Sequence, residues 1–158
     1  QELKSLSFRE IAKVEVINFG RFTDGANVTE AKLGETFGQC LDGRAVFAVQ
    51  TKQWLIWNGS YWRADECALI NKFAFQFISE AKQALFDTSN HSAAGNLSSF
   101  ESLNRLENLC KLASTDRAVS LSSFDTDPML LAAPNQWVHL ESGLAYDPDP
   151  SILISKEL

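Results

Sequence analysis

Residues 44–65 read RAVFAVQTKQWLIWNGSYWRAD. Arg44 to Gln50 alternates and is rich in Val and Phe, the pattern of a strand with one buried face. Trp54 to Trp57 reads as a second strand. Asn58-Gly59 is a tight-turn signal, because both residues accept the positive φ that such turns need. Tyr61 to Arg63 completes a third, short strand. The stretch is therefore a three-stranded meander that carries Trp54, Trp57 and Trp62.

Helices follow it. Asp65 reads as the cap of a long helix over 66–86, with Ile70, Phe73, Phe77, Ala81 and Ala84 at helical spacing. Phe75 and Ile78 widen that apolar face. Residues 87–96 are small and polar, include Gly95, and read as a loop. Ser98 and Glu101 form a capping box that opens a helix over 98–113, with Leu103, Leu106, Cys110 and Ala113 on its apolar face, joined by Phe100 and Leu109. A short helical turn is expected at 116–121.

The last third turns extended. Met129–Ala133, Trp137–Leu140 and Leu144–Tyr146 read as short strands, with Glu141-Ser142-Gly143 as a turn. Asp147-Pro148-Asp149-Pro150 ends regular structure, since each Pro restricts itself and its predecessor. Upstream of the meander, a helix over 28–39 has Asn27 and Glu30 as a capping pair, with Gly34 as a weak point. Residues 1–26 read as a leading arm or linker, in which Ile11, Val14, Val16 and Ile17 suit a short strand. The fold class is α+β: a Trp-rich β-meander and C-terminal short strands around a helical middle, the two strand sets expected to join in one small sheet.

Composition bounds the function. The chain has 158 residues, 45% apolar and 22% charged, with a net charge of −6. That is enough for one domain with a real core. The acidic balance argues against a chain that wraps nucleic acid by charge alone. No apolar window is long enough to span a membrane and the first nine residues carry Glu2, Lys4 and Arg9 with no apolar run, so a bacterial cytoplasmic protein is expected. The start at Gln1 suggests a fragment of a longer chain. Cys40, Cys67 and Cys110 are odd in number and far apart, unlike a disulfide framework or a zinc site.

The sequence lacks the phosphate-cradling G-x-x-x-x-G-K-[ST], the dinucleotide G-x-G-x-x-G, G-x-S-x-G and H-E-x-x-H. No catalytic residues, no metal ligands and no cofactor are expected. His91 and His139 read as surface or hydrogen-bonding residues. Asp125 and Asp127, two apart, could share a divalent cation on a strand, but Pro128 makes a turn or cap the better reading. The tryptophans could stack on bases, or form a hydrophobic cluster under the long helix. Trp54 and Trp62 are expected on one sheet face.

Two segments carry a resemblance. One is Trp54-Leu55-Ile56-Trp57-Asn58-Gly59-Ser60-Tyr61-Trp62; the other is 125–155, DTDPMLLAAPNQWVHLESGLAYDPDPSILIS. Together, in this order and with a helical spacer, they resemble the domain that precedes the superfamily 3 helicase in phage and plasmid primase–helicases and in the poxvirus helicase–primase. That family reads W-L-x-W-[DN]-G-x-x-W, then D-x-D-P-x-L-L-N-x-x-N-G-x-x-D-L-x-T-G. The matching residues here are Trp54, Trp57, Gly59, Trp62, Asp125, Asp127, Pro128, Asn135 and Gly143. Ala132, Gln136, His139 and Ser142 stand where the pattern has Asn, Gly, Asp and Thr. The turn at Asn135 should therefore differ, since Gln tolerates positive φ less well than Gly.

The resemblance covers about 27–158 and implies an accessory domain that couples a primase to a helicase and helps assemble the helicase ring. Its partners would be the primase and helicase domains of the same chain, hexameric as a whole, and single-stranded DNA. Lys52, Trp57 and Arg63 are the candidate DNA contacts, pairing phosphate neutralisation with stacking. The alternatives are a protein–protein adaptor that touches no DNA, and a small metal-dependent hydrolase using Asp125, Asp127 and a histidine.

Overall fold

The computed structural model describes residues 29–87, 89 and 91–157. The arm 1–26 and the expected cap Asn27 lie outside them. The chain divides into two compact units: a helical one that includes Ala68–Asp116 and the helix before Asp42, and a sheet unit formed by Gly43–Cys67 and the residues from Arg117 onward.

The helical unit contains α1 (Glu30–Cys40), α2 (Leu69–Asp87), α3 (His91–Ser98) and α4 (Leu103–Asp116), with a 3-10 turn at Ser99–Glu101. Thr29 caps α1, its side chain accepting the Lys32 N–H at 3.3 Å, and Glu30 suits the positive end of the helix. Gly34 and Gly38 lie one turn apart and face α4. A Cβ on Gly34 would sit 2.4 Å from Leu112 Cβ, and one on Gly38 would sit 2.9 Å from an Asp116 carboxylate oxygen. Gly34 is thus the means by which two helices approach closely, although it weakens the helix in isolation.

Five sequence expectations are corrected in this unit. Helix α2 starts at Leu69, not 66, because Ala68 takes a positive φ of 53°; the Asp65 N–H bonds to the Trp54 carbonyl at the strand exit. Its buried face holds Ile70, Ala74, Phe77, Ile78, Ala81, Ala84 and Leu85, while Phe73 is half-buried and Phe75 exposed. The expected loop is largely α3, a helix in which His91, Ser92, Gly95, Asn96 and Ser98 are weak formers and which is held by burial of Ala93, Ala94 and Leu97. The capping box does not form. Ser98 ends α3 and makes no side-chain cap, and Glu101 instead pairs with Lys82 at 2.8 Å. Helix α4 begins after the extended Ser102, which leaves Leu103 exposed at its first position.

The sheet unit holds two separate sheets rather than one. The first runs β3-β2-β1-β4, from β1 (Ala45–Ala48), β2 (Gln53–Trp57), β3 (Trp62–Ala64) and β4 (Ala118–Val119). β1, β2 and β3 form the expected antiparallel meander. β4 replaces the expected helical turn and pairs parallel to β1, with the N–H groups of Phe47 and Val49 donating to Arg117 and Val119. A 3-10 turn at Leu121–Ser123 follows. The second sheet runs β5 (Leu130–Ala132), β6 (Trp137–His139) and β7 (Ala145–Tyr146), all antiparallel. The Ala133 N–H donates to the Gln136 carbonyl across the β5–β6 turn, and no positive φ occurs at Asn135 or Gln136.

Candidate functional site

The register of the meander places Trp57 opposite Trp62, and Leu55 opposite Ala64. Paired residues share a face and neighbours alternate, so Trp54 points to the other face from Trp62. The expected Trp54–Trp62 face is thereby corrected. Trp54 instead meets Phe47, edge on, with ring centroids 5.4 Å apart.

Trp57 sits half-buried between two other indoles, 5.5 Å from Trp62 and 6.2 Å from Trp137. Trp62 and Trp137 are both 1% exposed. Each indole N–H has a partner, as buried polar groups require. Trp62 Nε1 donates to the Pro150 carbonyl at 3.2 Å, and Trp137 Nε1 donates to the Ser60 carbonyl at 2.6 Å. The cluster is therefore covered by the C-terminal segment, with Leu153 and Ile154 against it. The cover expected was the long helix; the cover observed within this unit is the C-terminal segment.

The loop between β2 and β3 is shaped for this contact. Asn58 Oδ1 accepts the N–H groups of Ser60 and Tyr61, both at 2.9 Å, and Gly59 takes φ 98°. This turns Ser60 inward, where its Oγ donates to the Ala133 carbonyl at 2.7 Å. The two segments that carried the resemblance thus pack on each other. Ser60 and Trp137 escaped the sequence reading because their partners lie more than seventy residues away.

Asp125 and Asp127 turn to different tasks. Asp125, at φ 49°, accepts from Ser155 N–H at 2.9 Å, Ser155 Oγ at 2.6 Å and Lys156 N–H at 3.3 Å. Asp127 Oδ1 accepts the Met129 N–H at 2.9 Å, a local turn of the kind expected before β5. Its other oxygen lies 3.4 Å from His139 Nε2. His139 Nδ1 in turn accepts the Ser142 N–H at 3.3 Å and lies 3.2 Å from Ser142 Oγ. The neutral ring with its proton on Nε2 satisfies both sides. Ser142 Oγ also accepts the Leu144 N–H at 3.3 Å, so these groups close the β6–β7 turn, with Gly143 at φ 68°. Pro128 and Asn135 are exposed. Among the described residues no group of three or more His, Cys, Asp or Glu is placed to hold a metal ion.

The three candidate DNA contacts are not brought together. Lys52 is exposed in the β1–β2 turn at φ 51°, next to the start of β2, while Trp57 is at the other end of that strand, about 16 Å away by strand rise. Arg63 is exposed on β3, with Glu66 3.9 Å from it. Tyr61, beside it, carries a phenol raised above its ordinary value of 10.0, first by a hydrogen bond to the Glu157 carboxylate and then by desolvation.

The sequence that builds this framework matches a known family. The profile described as "D5 N terminal like" covers residues 37–158, and the chain belongs to that family. It is the domain that precedes the helicase in phage and plasmid primase–helicases. No curated protein matches the chain. Among the described residues, no helix is long and apolar enough to cross a membrane.

Proposed function

We propose that residues 27–158 act as the accessory domain of a phage- or plasmid-type DNA primase–helicase. The domain joins the primer-making part to the unwinding part and helps the helicase ring assemble. Family membership supports this reading, and one structural observation carries it. The family-motif residues Trp57, Trp62 and Asp125 spend their side chains on internal framework, the first two with Trp137 and the third with Ser155, as a connector requires. In a primase–helicase bearing this domain, replacing 37–158 by a flexible Gly/Ser linker should leave primer synthesis and ATP hydrolysis intact separately but uncouple them on forked DNA. Coupled synthesis at the original rate would sink the proposal.

Single-stranded DNA contact is assigned to Lys52 and Arg63, the exposed cations of the meander, with Trp57 contributing packing rather than stacking. Contact of this kind is electrostatic and depends on salt. Anisotropy of a labelled single strand should show weaker binding for Lys52→Ala and Arg63→Ala, and a logarithmic salt slope reduced by about 0.7 per lost contact. Binding that is unchanged and insensitive to salt would refute the DNA role. The adaptor reading has its own support: residues 118–155 contain Asp125, Asp127, Glu141, Asp147 and Asp149 and no Lys or Arg.

A further inference from the structure

The sheet β5-β6-β7 has one face in the core, where Ala132 and Trp137 pack with Ile154, Trp57 and Tyr61. An antiparallel sheet covered on one side normally presents polar residues on the other. Here it does not. The register puts Leu131, Val138 and Ala145 side by side on the second face, and Met129 and Leu140 continue it as the next pair across β5 and β6. All five are apolar. Met129 is 43% exposed and Leu140 52%, and Ala145 is exposed as well. Leu131 and Val138, at its centre, are half-buried; Leu144 and Tyr146 are exposed too, but they pair with His139 and Trp137 and so take the parity of the first face.

We propose that this outer face is a docking surface for an amphipathic helix whose apolar stripe is flanked by Lys and Arg. The charge around the face selects that occupant. Asp127 lies two residues from Met129, Glu141 follows Leu140, Asp147 lies two residues after Ala145, and no Lys or Arg occurs between Arg117 and Lys156. Nucleic acid or an anionic membrane would be repelled. A second copy of this chain docked face to face would set acid against acid. The width agrees: three strands at about 4.8 Å spacing make a strip about 10 Å across, the diameter of a helix with side chains. Such recognition lays an apolar helix face on an apolar surface, while charge sets orientation and on-rate.

The inference goes beyond the replication reading and does not use Lys52 or Arg63. The test uses the full chain and three helical peptides of about 18 residues, five turns, long enough to cross the sheet. One carries a Leu stripe with Lys flanks, one the same stripe with Glu flanks, and one the Leu and Lys scrambled. The Lys-flanked stripe should bind at least tenfold more tightly than the other two. Leu140→Gln should weaken it at least tenfold, and Glu141→Gln with Asp147→Asn should weaken it severalfold and flatten its salt dependence. The last pair is exposed, so its result holds even if Leu140→Gln impairs folding. Equal binding of the Glu-flanked peptide, or binding unchanged in both variants, overturns the proposal. So does sedimentation showing a dimer that Leu140→Gln dissolves, which would make a second copy the occupant. Lys52→Ala and Arg63→Ala should leave peptide binding unchanged, which separates this test from the DNA role.

Discussion

Asp125 holds Ser155 by both its oxygens, thirty residues apart in sequence: Oδ2 accepts from the Ser155 hydroxyl at 2.6 Å and Oδ1 from its N–H at 2.9 Å. The Asp125 N–H also donates to the Leu153 carbonyl at 2.8 Å, so backbone and side chain grip the same segment. That segment covers Trp62, whose backbone N–H donates to the Ile154 carbonyl at 2.8 Å. The clasp therefore closes the lid over the tryptophan cluster.

Breaking the clasp should loosen the whole sheet unit. Asp125→Ala removes charge-assisted hydrogen bonds and should cost about 2–3 kcal/mol. Ser155→Ala should cost about 1 kcal/mol, and the double variant less than the sum. Asp125→Asn should be milder, because Asn keeps an acceptor and tolerates the positive φ at this site. Urea unfolding followed by tryptophan fluorescence measures all four. Additive costs would show that the two residues do not act as a pair.

The indoles separate packing from DNA contact. Trp137→Ala should cost about 3–5 kcal/mol. Trp137→Phe should cost less, through lost volume and a Ser60 carbonyl left without its donor. Trp57→Phe should lower stability while leaving single-strand affinity within about twofold, under half a kcal/mol. A large loss of DNA affinity without loss of stability would restore Trp57 as a stacking platform.

Three helical glycines should respond in opposite directions. Gly34→Ala forces a methyl to within 2.4 Å of Leu112 Cβ and should destabilise by about 1–3 kcal/mol despite better helix propensity. Gly38→Ala meets the exposed Asp116 carboxylate first and should cost less. Gly95→Ala, in α3, meets nothing within 4 Å and should stabilise by about 0.5–1 kcal/mol. Thermal unfolding of the three variants checks the order; stabilisation by Gly34→Ala would show that α1 and α4 part easily.

Tyr61 provides a pH test. Its phenol is raised above 10.0 chiefly by the Glu157 hydrogen bond, so the folded state favours the protonated ring. The stabilisation from this bond is complete below the unfolded tyrosine value and is lost as pH rises through the higher folded value. The chain has two tyrosines, so phenolate absorbance can follow both. In Glu157→Gln the higher transition should move down toward the ordinary value. No movement would mean that the bond does not form in solution.

The meander, the α+β class and the occurrence, in order, of a tryptophan segment and a D-x-D-P segment were legible in the residues alone. Alternation of apolar side chains, the Asn58-Gly59 step and helical spacing over Ile70, Phe77, Ala81 and Ala84 are local signals, carried by a few neighbouring residues. The candidate site was legible as a set of residues, not as an arrangement. Nothing local tells whether Trp57 is a platform or a packed core ring.

What lay beyond the sequence depends on distant partners. Helix α3 forms despite Gly95, Asn96 and its serines because α2 lies beside it to bury Ala93, Ala94 and Leu97. β4 is only two residues long and exists through a parallel partner some seventy residues upstream. Sheet register has a period of two, so a shift of one residue exchanges faces; only the observed pairing could put Trp57 with Trp62 and turn Trp54 away. The same parity exposed the apolar outer face of β5-β6-β7. Residue types thus determined which elements could form and what family they resemble. Long-range hydrogen bonding and burial decided which side chains meet, because those free energies are gained only when segments far apart in the chain are brought together.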